Sequence, residues 1–219
     1  MAPRYERAKL RLEEKFLVLA AMASVFDRIV EWCINHGDAE LGLGSGEISD
    51  AEVKWRNSGF PGIYSSKPSS VTSRLTSDDT RLGKIVIGAY GIPTGRRRQW
   101  LQDAAMSNTI WFLGDLDGTD LMAYCSLADG ATSGAIPYLG ICDSLLARFD
   151  IKLVSLQQYL IPATSTELAA IDALSEMGLS IEAIVGPGCL SVLRAGNKIE
   201  IEGLLWEIEA DKLAACVAN

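Results

Sequence analysis

A strand, a turn and a helix follow one another in Trp111-Phe-Leu-Gly-Asp115-Leu-Asp117-Gly-Thr-Asp120-Leu-Met-Ala-Tyr124. The apolar run at its start is typical of a buried strand, and the apolar spacing after the glycine is typical of a helix. On an extended chain, side chains two residues apart point to the same face, so Asp115 and Asp117 would aim two carboxylates at one point. Open α/β sheets carry their sites at the carboxyl ends of strands. Paired carboxylates there favour a hard cation such as Mg2+ or Mn2+, which takes oxygen ligands.

The same acidic pattern also fits a purely structural role. Asp117 or Thr119 would cap the following helix, and Asp115 would be solvated. Acidic residues are common at such turns because the helix N-terminus attracts negative charge. The spacing alone leaves the metal interpretation and the cap interpretation equally open.

The composition is that of an ordinary globular protein. The chain has 219 residues, of which 48% are hydrophobic, and a net charge of −8, which is enough for one sizeable core. No apolar run approaches the roughly 20 residues of a membrane span, and the run that begins at Phe16 continues as an amphipathic pattern without a cleavage site. We therefore expect a cytoplasmic protein without membrane contact. The acidic charge argues against a general nucleic-acid coat, but it leaves room for a local basic patch.

The cysteines and the single histidine exclude several chemistries. The five cysteines are scattered and form no Cys-x-x-Cys pair, and none lies near His36. This pattern disfavours a zinc site, a disulfide framework and Cys/His or Ser/His/Asp catalysis. No Walker A or Gly-x-Gly-x-x-Gly pattern is present either, so a small-molecule Rossmann-like enzyme is the weakest interpretation.

Strand-like and helix-like segments alternate along most of the chain. This alternation predicts βαβ units and an α/β fold with a mainly parallel sheet flanked by helices. The interval 38–82, rich in Gly, Pro and Ser, predicts a long irregular insertion or mobile loop within a single domain over 1–219. The predicted strands are 16–20, 84–88, 109–113, 136–141 and 151–156; the predicted helices are 4–15, 24–35, 96–105, 120–127, 144–148, 166–177 and 200–217.

Several of these segments resemble the TOPRIM domain of the type IIB topoisomerase A subunit and of its meiotic double-strand-break relative. The resemblance is carried by Gly83-Lys-Ile-Val-Ile-Gly-Ala-Tyr-Gly91-Ile-Pro93-Thr-Gly-Arg96 and by Ile110-Trp-Phe-Leu-Gly-Asp115-Leu-Asp117-Gly118. That family has a strand, a Gly-x-Pro turn, an arginine-bearing helix and a strand ending in Asp-x-Asp, in this order. The second segment is also similar to the TOPRIM nuclease subunit of Wadjet plasmid-defence systems. Segments beginning at Phe16, Leu139 and Lys198 are similar to further family segments, so the resemblance covers roughly half of the chain.

The resemblance implies a Rossmann-like TOPRIM fold and a metal-dependent role in DNA metabolism. Asp115 and Asp117 would be the catalytic and metal-binding residues, with Mg2+ or Mn2+ as the cofactor. Arg96, Arg97 and Arg98 open a helix after the Gly-Pro turn and would contact the phosphate backbone of DNA. A solvated helix face is the alternative interpretation of the three arginines.

The chain also departs from the family pattern. TOPRIM sites use a glutamate on the first strand as general acid/base and metal ligand, whereas Ala20-Ala21 stand at the matching place. A positioned acid–base group contributes roughly 10²–10⁴ in rate, so its loss would be severe. The family's proline after the second aspartate is missing. Only a short segment precedes the first predicted strand, so we expect the chain alone to lack the parts for tyrosine transesterification.

Two functions follow as hypotheses. In the first, the chain is a metal-binding subunit of a nuclease or topoisomerase-like assembly that acts on DNA, and a protein partner supplies the missing catalytic residues. In the second, it is a catalytically degenerate TOPRIM-like scaffold that acts through protein–protein contacts. The Asp-x-Asp motif favours the first and Ala20-Ala21 the second. Both leave room for a homo-oligomer.

Overall fold

The computed structural model describes residues 24–36, 41–42, 62–65, 85–88, 92–93, 95–129, 136–208 and 212. These residues form an α/β fold, as the alternation of strands and helices predicted. Their elements are α1 (Val25–His36), β1 (Leu41–Gly42), β2 (Gly62–Ser65), β3 (Ile85–Gly88), β4 (Ile92–Pro93), α2 (Gly95–Ala105), β5 (Ile110–Leu113), α3 (Gly118–Ala128), α4 (Asp143–Arg148), a 3₁₀ helix (Leu153–Tyr159), β6 (Leu160–Pro162), α5 (Ser165–Glu176), α6 (Ile181–Arg194), β7 (Asn197–Ile199) and α7 (Ile201–Glu207).

The central sheet is parallel and has the order β3-β2-β5. A parallel bridge between Phe112 and Tyr138 continues the sheet beyond β5. Its two hydrogen bonds run from the Phe112 N–H to the Pro137 carbonyl (2.9 Å) and from the Leu139 N–H to the Phe112 carbonyl (2.7 Å). Because β5 has backbone neighbours on both sides, it is an interior strand, which agrees with its apolar sequence.

The interval 38–82 contributes to this sheet, which differs from the irregular insertion that the sequence predicted. Both β1 and β2 lie in this interval, and β2 pairs with β3 and with β5. Its residues Ile63 and Tyr64 are fully buried. A buried strand of four residues has no alternating pattern, and the surrounding Gly, Pro and Ser residues obscured it. The rest of the interval lies outside the described residues, as does the predicted strand 16–20.

Two further predictions in the second half of the chain are wrong. Residues 151–156 were expected to form a strand, but Leu153–Tyr159 is a 3₁₀ helix. The expected strand 136–141 contributes only the single bridge at Tyr138. Both segments are short apolar runs, and periodicity does not distinguish a strand from a helical turn over so few residues.

Helix α5, predicted over 166–177, has a defined start and a defined stop. Thr164 Oγ1 accepts a hydrogen bond from the Glu167 N–H (3.2 Å), and Glu167 Oε2 accepts one from the Thr164 N–H (2.6 Å). This reciprocal pair is a capping box. At the other end Gly178, with φ of +85°, terminates the helix, and the N–H of Leu179 bonds to the carbonyl of Leu174 (3.1 Å) in a Schellman motif.

Helix α6 is divided by a break at Gly186-Pro187. Gly186 has φ of +84°, and Pro187 lacks the N–H that a continuous helix would need. Asp143 caps the second half of α6 from another element. Its two carboxylate oxygens accept hydrogen bonds from the N–H groups of Gly188 (2.7 Å) and Cys189 (2.9 Å). This contact ties the start of α4 to α6.

Helix α3 lies at the centre of the fold and positions the acidic motif. It packs against α1, α2 and α5, and most of its residues are buried. None of the helices in the described ranges combines the length and the apolar composition that crossing a membrane requires.

Candidate metal centre

The segment that follows β5 and carries Asp115 and Asp117, here called the acidic loop, is held in place by β7. Leu116 and Ile199 form an antiparallel bridge, with the Leu116 N–H bonded to the Ile199 carbonyl (2.9 Å) and the Ile199 N–H to the Leu116 carbonyl (3.3 Å). Both side chains are completely buried. The backbone between the two aspartates is therefore fixed by a pairing with a strand more than 80 residues later in the chain.

This bridge sets which residues share a face. Leu116 and Ile199 point into the core, so the residues on either side of each point to the opposite face. In antiparallel register, Asp117 lies across from Lys198, and Asp115 lies across from Glu200. The prediction that Asp115 and Asp117 share one face agrees with this register.

Asp115 is completely buried. Its Oδ1 accepts a hydrogen bond from the N–H of Ile201 (2.8 Å), which is the first residue of α7. The Tyr138 hydroxyl donates a hydrogen bond to the Asp115 backbone carbonyl (3.0 Å). The cap interpretation expected Asp115 to be solvated. Its side chain is instead buried and holds the N-terminus of another helix.

Asp117 is the N-cap residue of α3, as the cap interpretation predicted. Its Oδ1 accepts hydrogen bonds from the Asp120 N–H (2.7 Å) and from the Thr119 hydroxyl (2.8 Å). Both bonds end on the same oxygen. A cap of this kind is compatible with an additional ligand on the second oxygen, so the cap interpretation and the metal interpretation are not mutually exclusive.

Asp120 is a third carboxylate of the centre, and sequence reasoning had not assigned it to the site. Its Oδ2 accepts a hydrogen bond from the Asp115 N–H (2.6 Å). One carboxylate oxygen from each of Asp115, Asp117 and Asp120 lies within 4.8 Å of the other two, and all three residues are buried. The available signal was the spacing of Asp117 and Asp120, because residues three apart meet on one side of a helical turn.

The negative charge of the three aspartates affects the pKa of Tyr138. Burial raises the pKa of Tyr138 well above its ordinary value, and the charges of Asp120, Asp117 and Asp115 raise it further, together with Cys142. Tyr138 therefore remains neutral and keeps the proton that it donates to the Asp115 carbonyl. It acts on the centre by positioning the loop.

Lys198 and Glu167 form an ion pair beside the three aspartates. The Lys198 Nζ lies 2.8 Å from Glu167 Oε1 and 3.8 Å from Glu200 Oε1. Burial acts to lower the pKa of Lys198, but Glu167, Asp117 and Glu200 outweigh it and leave that pKa raised. Burial likewise acts to raise the pKa of Glu167, but its bonds to Lys198 and Thr164 leave that pKa lowered. Both groups are therefore charged near neutral pH.

The three arginines predicted to contact DNA have different surroundings. Arg98 binds the C-terminal end of α3: its Nε donates to the Ser126 carbonyl (2.8 Å), and one terminal nitrogen donates to the Asp129 carbonyl (2.5 Å). Burial raises the pKa of the Tyr64 hydroxyl, which the charge of Arg97 acts to lower and that of Asp120 acts to raise. The side chain of Arg96 lies outside the described residues. Contact with DNA stays a prediction, and the bonds of Arg98 favour a structural role for that residue.

Replacing Arg98 by methionine is expected to lower the free energy of unfolding by about 1–2 kcal/mol, because it leaves the partly buried helix carbonyls without a charged donor. Denaturant unfolding of Arg98→Met measures the loss. Arg194→Met is the control, since Arg194 is exposed in the last turn of α6 and its loss should cost less than about 0.5 kcal/mol. An equal effect of the two substitutions would contradict the structural role.

Glu200 and Glu202, whose spacing would put them on one face of a strand, lie at the start of a helix instead. Glu200 is the N-cap residue of α7, and Glu202 lies in its first turn. Trp100, on the same helix as the three arginines, is buried in the core. Ala20-Ala21, at the place of the family's glutamate, lies outside the described residues.

The donors at this centre suit a hard divalent cation. All three are carboxylate oxygens, the ligand type of Mg2+ and Mn2+, whereas zinc favours nitrogen and sulfur ligands. No protein-family model matches the chain, and no curated protein matches it at a significant level. The resemblance to TOPRIM domains therefore rests on the sequence segments themselves.

Proposed function

We propose that this protein is a TOPRIM-like metal-binding module of DNA metabolism that holds Mg2+ or Mn2+ through Asp115, Asp117 and Asp120. Metal binding is supported by one observation above the others. Three buried carboxylates converge within 4.8 Å at the carboxyl end of an interior parallel strand. The role in DNA metabolism is supported by the sequence resemblance.

The separations of the carboxylates are compatible with a shared ion. Two oxygens bound to one Mg2+ at about 2.1 Å lie roughly 3 to 4.2 Å apart. Side-chain movements of about one ångström would bring the present oxygens into that range. The backbone of Asp115 is held by Tyr138, and Asp117 is the N-cap residue of α3. The backbone therefore stays in place, and the adjustment is made by the side chains alone.

A bound ion would neutralise a scissile phosphate and stabilise the leaving oxygen. The chain's own residues orient the ligands: β7 fixes the loop, and the first turn of α3 brings Asp120 back to the N–H of Asp115. The proton-transfer group that the family carries on its first strand has no counterpart at Ala20-Ala21. The proposed module therefore works with a protein partner that supplies this group, in a nuclease or topoisomerase-like assembly.

Titration of the purified chain with Mn2+, followed by calorimetry and by the electron paramagnetic resonance signal of the free ion, tests metal binding. The wild type is expected to bind Mn2+, and Asp120→Asn is expected to bind it at least about tenfold more weakly, because a ligand charge is lost. Asp172→Asn is the control, since Asp172 is exposed on α5. Absence of binding by the wild type at millimolar Mn2+ would contradict the proposal. Binding to supercoiled or linear DNA that depends on Mn2+ would support the role in DNA metabolism.

A catalytically degenerate scaffold is the second candidate, and the hydrogen bonds of the centre favour it. Asp117 caps α3, Asp115 holds the N-terminus of α7, and Asp120 holds the N–H of Asp115. Each carboxylate thus contributes to the fold whether or not a metal binds. A scaffold would show no Mn2+ binding in the same titration.

A further inference from the structure

Lys198 lies where β7 meets the acidic loop. The bridge between Leu116 and Ile199 places Lys198 across from Asp117, on the face that carries the carboxylates. Residues opposite each other in an antiparallel pair have Cβ atoms about 4.5–5.5 Å apart. The ammonium is therefore within reach of the space between the aspartates and Glu167.

Two features keep Lys198 in this position. Its Nζ is bonded to Glu167 Oε1 at 2.8 Å. Glu167 is itself fixed, because its other oxygen accepts hydrogen bonds from the N–H (2.6 Å) and the hydroxyl (2.9 Å) of Thr164. The lysine side chain is also largely buried, so solvent screens its charge only in part.

The surroundings of Lys198 are strongly acidic. Five carboxylates lie near it: the three of the centre, Asp115, Asp117 and Asp120, and the two that pair with its ammonium, Glu167 and Glu200. Buried carboxylates without a compensating positive charge are costly. An ammonium in this place offsets part of that cost in the metal-free protein, and it repels a divalent cation that approaches the same oxygens.

We infer that Lys198 is a resident counter-ion of the acidic centre, which stabilises the metal-free protein and weakens the binding of a divalent cation. The inference rests on the proposed metal binding and assigns its regulation to one positioning residue. A unit charge about 6 Å from a divalent ion changes the binding constant by about tenfold even at the dielectric constant of water. Removal of the charge is therefore expected to tighten Mn2+ binding by at least about tenfold.

The test compares the wild type with Lys198→Met, which removes the charge, and Lys198→Arg, which keeps it. Calorimetric titration with Mn2+ gives the affinities, and thermal unfolding with and without Mn2+ gives the stabilities. We expect Lys198→Met to bind Mn2+ at least about tenfold more tightly than the wild type, to unfold at a lower temperature without metal, and to gain more from Mn2+. Lys198→Arg should resemble the wild type, as should the control Lys152→Met, which changes an exposed lysine.

The outcomes separate this inference from the proposed function. Mn2+ binding that is equal in the wild type and Lys198→Met overturns the inference and leaves the proposed function standing. Tightening in Lys198→Arg as large as in Lys198→Met overturns it too, because packing rather than charge would then be responsible. Binding by Lys198→Met but not by the wild type supports the counter-ion and contradicts metal binding by the natural chain. Absence of binding in both proteins overturns both statements.

Discussion

Asp117→Asn is expected to weaken Mn2+ binding at least about 100-fold, which corresponds to about 2.7 kcal/mol, while the thermal midpoint changes by only a few degrees. Asparagine is as good an N-cap as aspartate, because its carbonyl oxygen can accept the hydrogen bond from the Asp120 N–H that Asp117 accepts now. The neutral amide, however, is a poor replacement for a charged ligand. The substitution therefore separates the two roles that the sequence left open for this residue.

The matched control for this experiment is Asp143→Asn. Asp143 also holds the N-terminal end of a helix segment through two N–H groups, but it does not belong to the group of three carboxylates. Its replacement should cost more stability than that of Asp117, because each of its carboxylate oxygens accepts one N–H and an amide nitrogen accepts none. It should leave Mn2+ affinity unchanged. Equal Mn2+ binding by the wild type and Asp117→Asn would identify Asp117 as a cap alone and would remove it from the proposed ligands. Alanine is less suitable, because it removes the cap at a cost of about 1 kcal/mol.

The sequence predicted the part of the centre that is local in the chain. The apolar run of β5, the two aspartates and the helix after them follow within a few residues, so strand and helix periodicity place Asp115 and Asp117 correctly. Asp120 was missed because an acidic residue in the first turn of a helix has a sufficient structural explanation in the helix dipole. The hydrogen bond that the Asp120 carboxylate accepts from the Asp115 N–H shows that Asp120 belongs to the centre.

The remaining parts of the centre depend on pairings that no local pattern contains. Lys198 meets Asp117 only because Leu116 pairs with Ile199, and Glu167 meets Lys198 only because α5 packs beside α3. The central position of β2 has the same origin, since its partners β3 and β5 come later in the chain. Such contacts are set by tertiary packing, which overrides the local sequence pattern.

Gly118→Ala is expected to destabilise the protein by at least about 3 kcal/mol. A Cβ at this position would lie 2.1 Å from the Glu167 carbonyl oxygen and 2.9 Å from the Ala170 Cβ. Alanine is favoured over glycine in a helix by only about 1 kcal/mol, so the steric clash outweighs the better propensity. Relief would require α5 to move, and the capping box between Thr164 and Glu167 opposes that movement. Denaturant unfolding measures the loss.

Gly178→Ala is the control for this substitution. Gly178 has a positive φ, but a Cβ there would meet nothing within 4 Å, so only the backbone strain of about 1 kcal/mol is expected. A loss below about 1 kcal/mol in Gly118→Ala would contradict the close packing of α3 on α5. That packing also explains why glycine directly follows Asp117, because the Cβ of any other residue there would meet the Glu167 carbonyl.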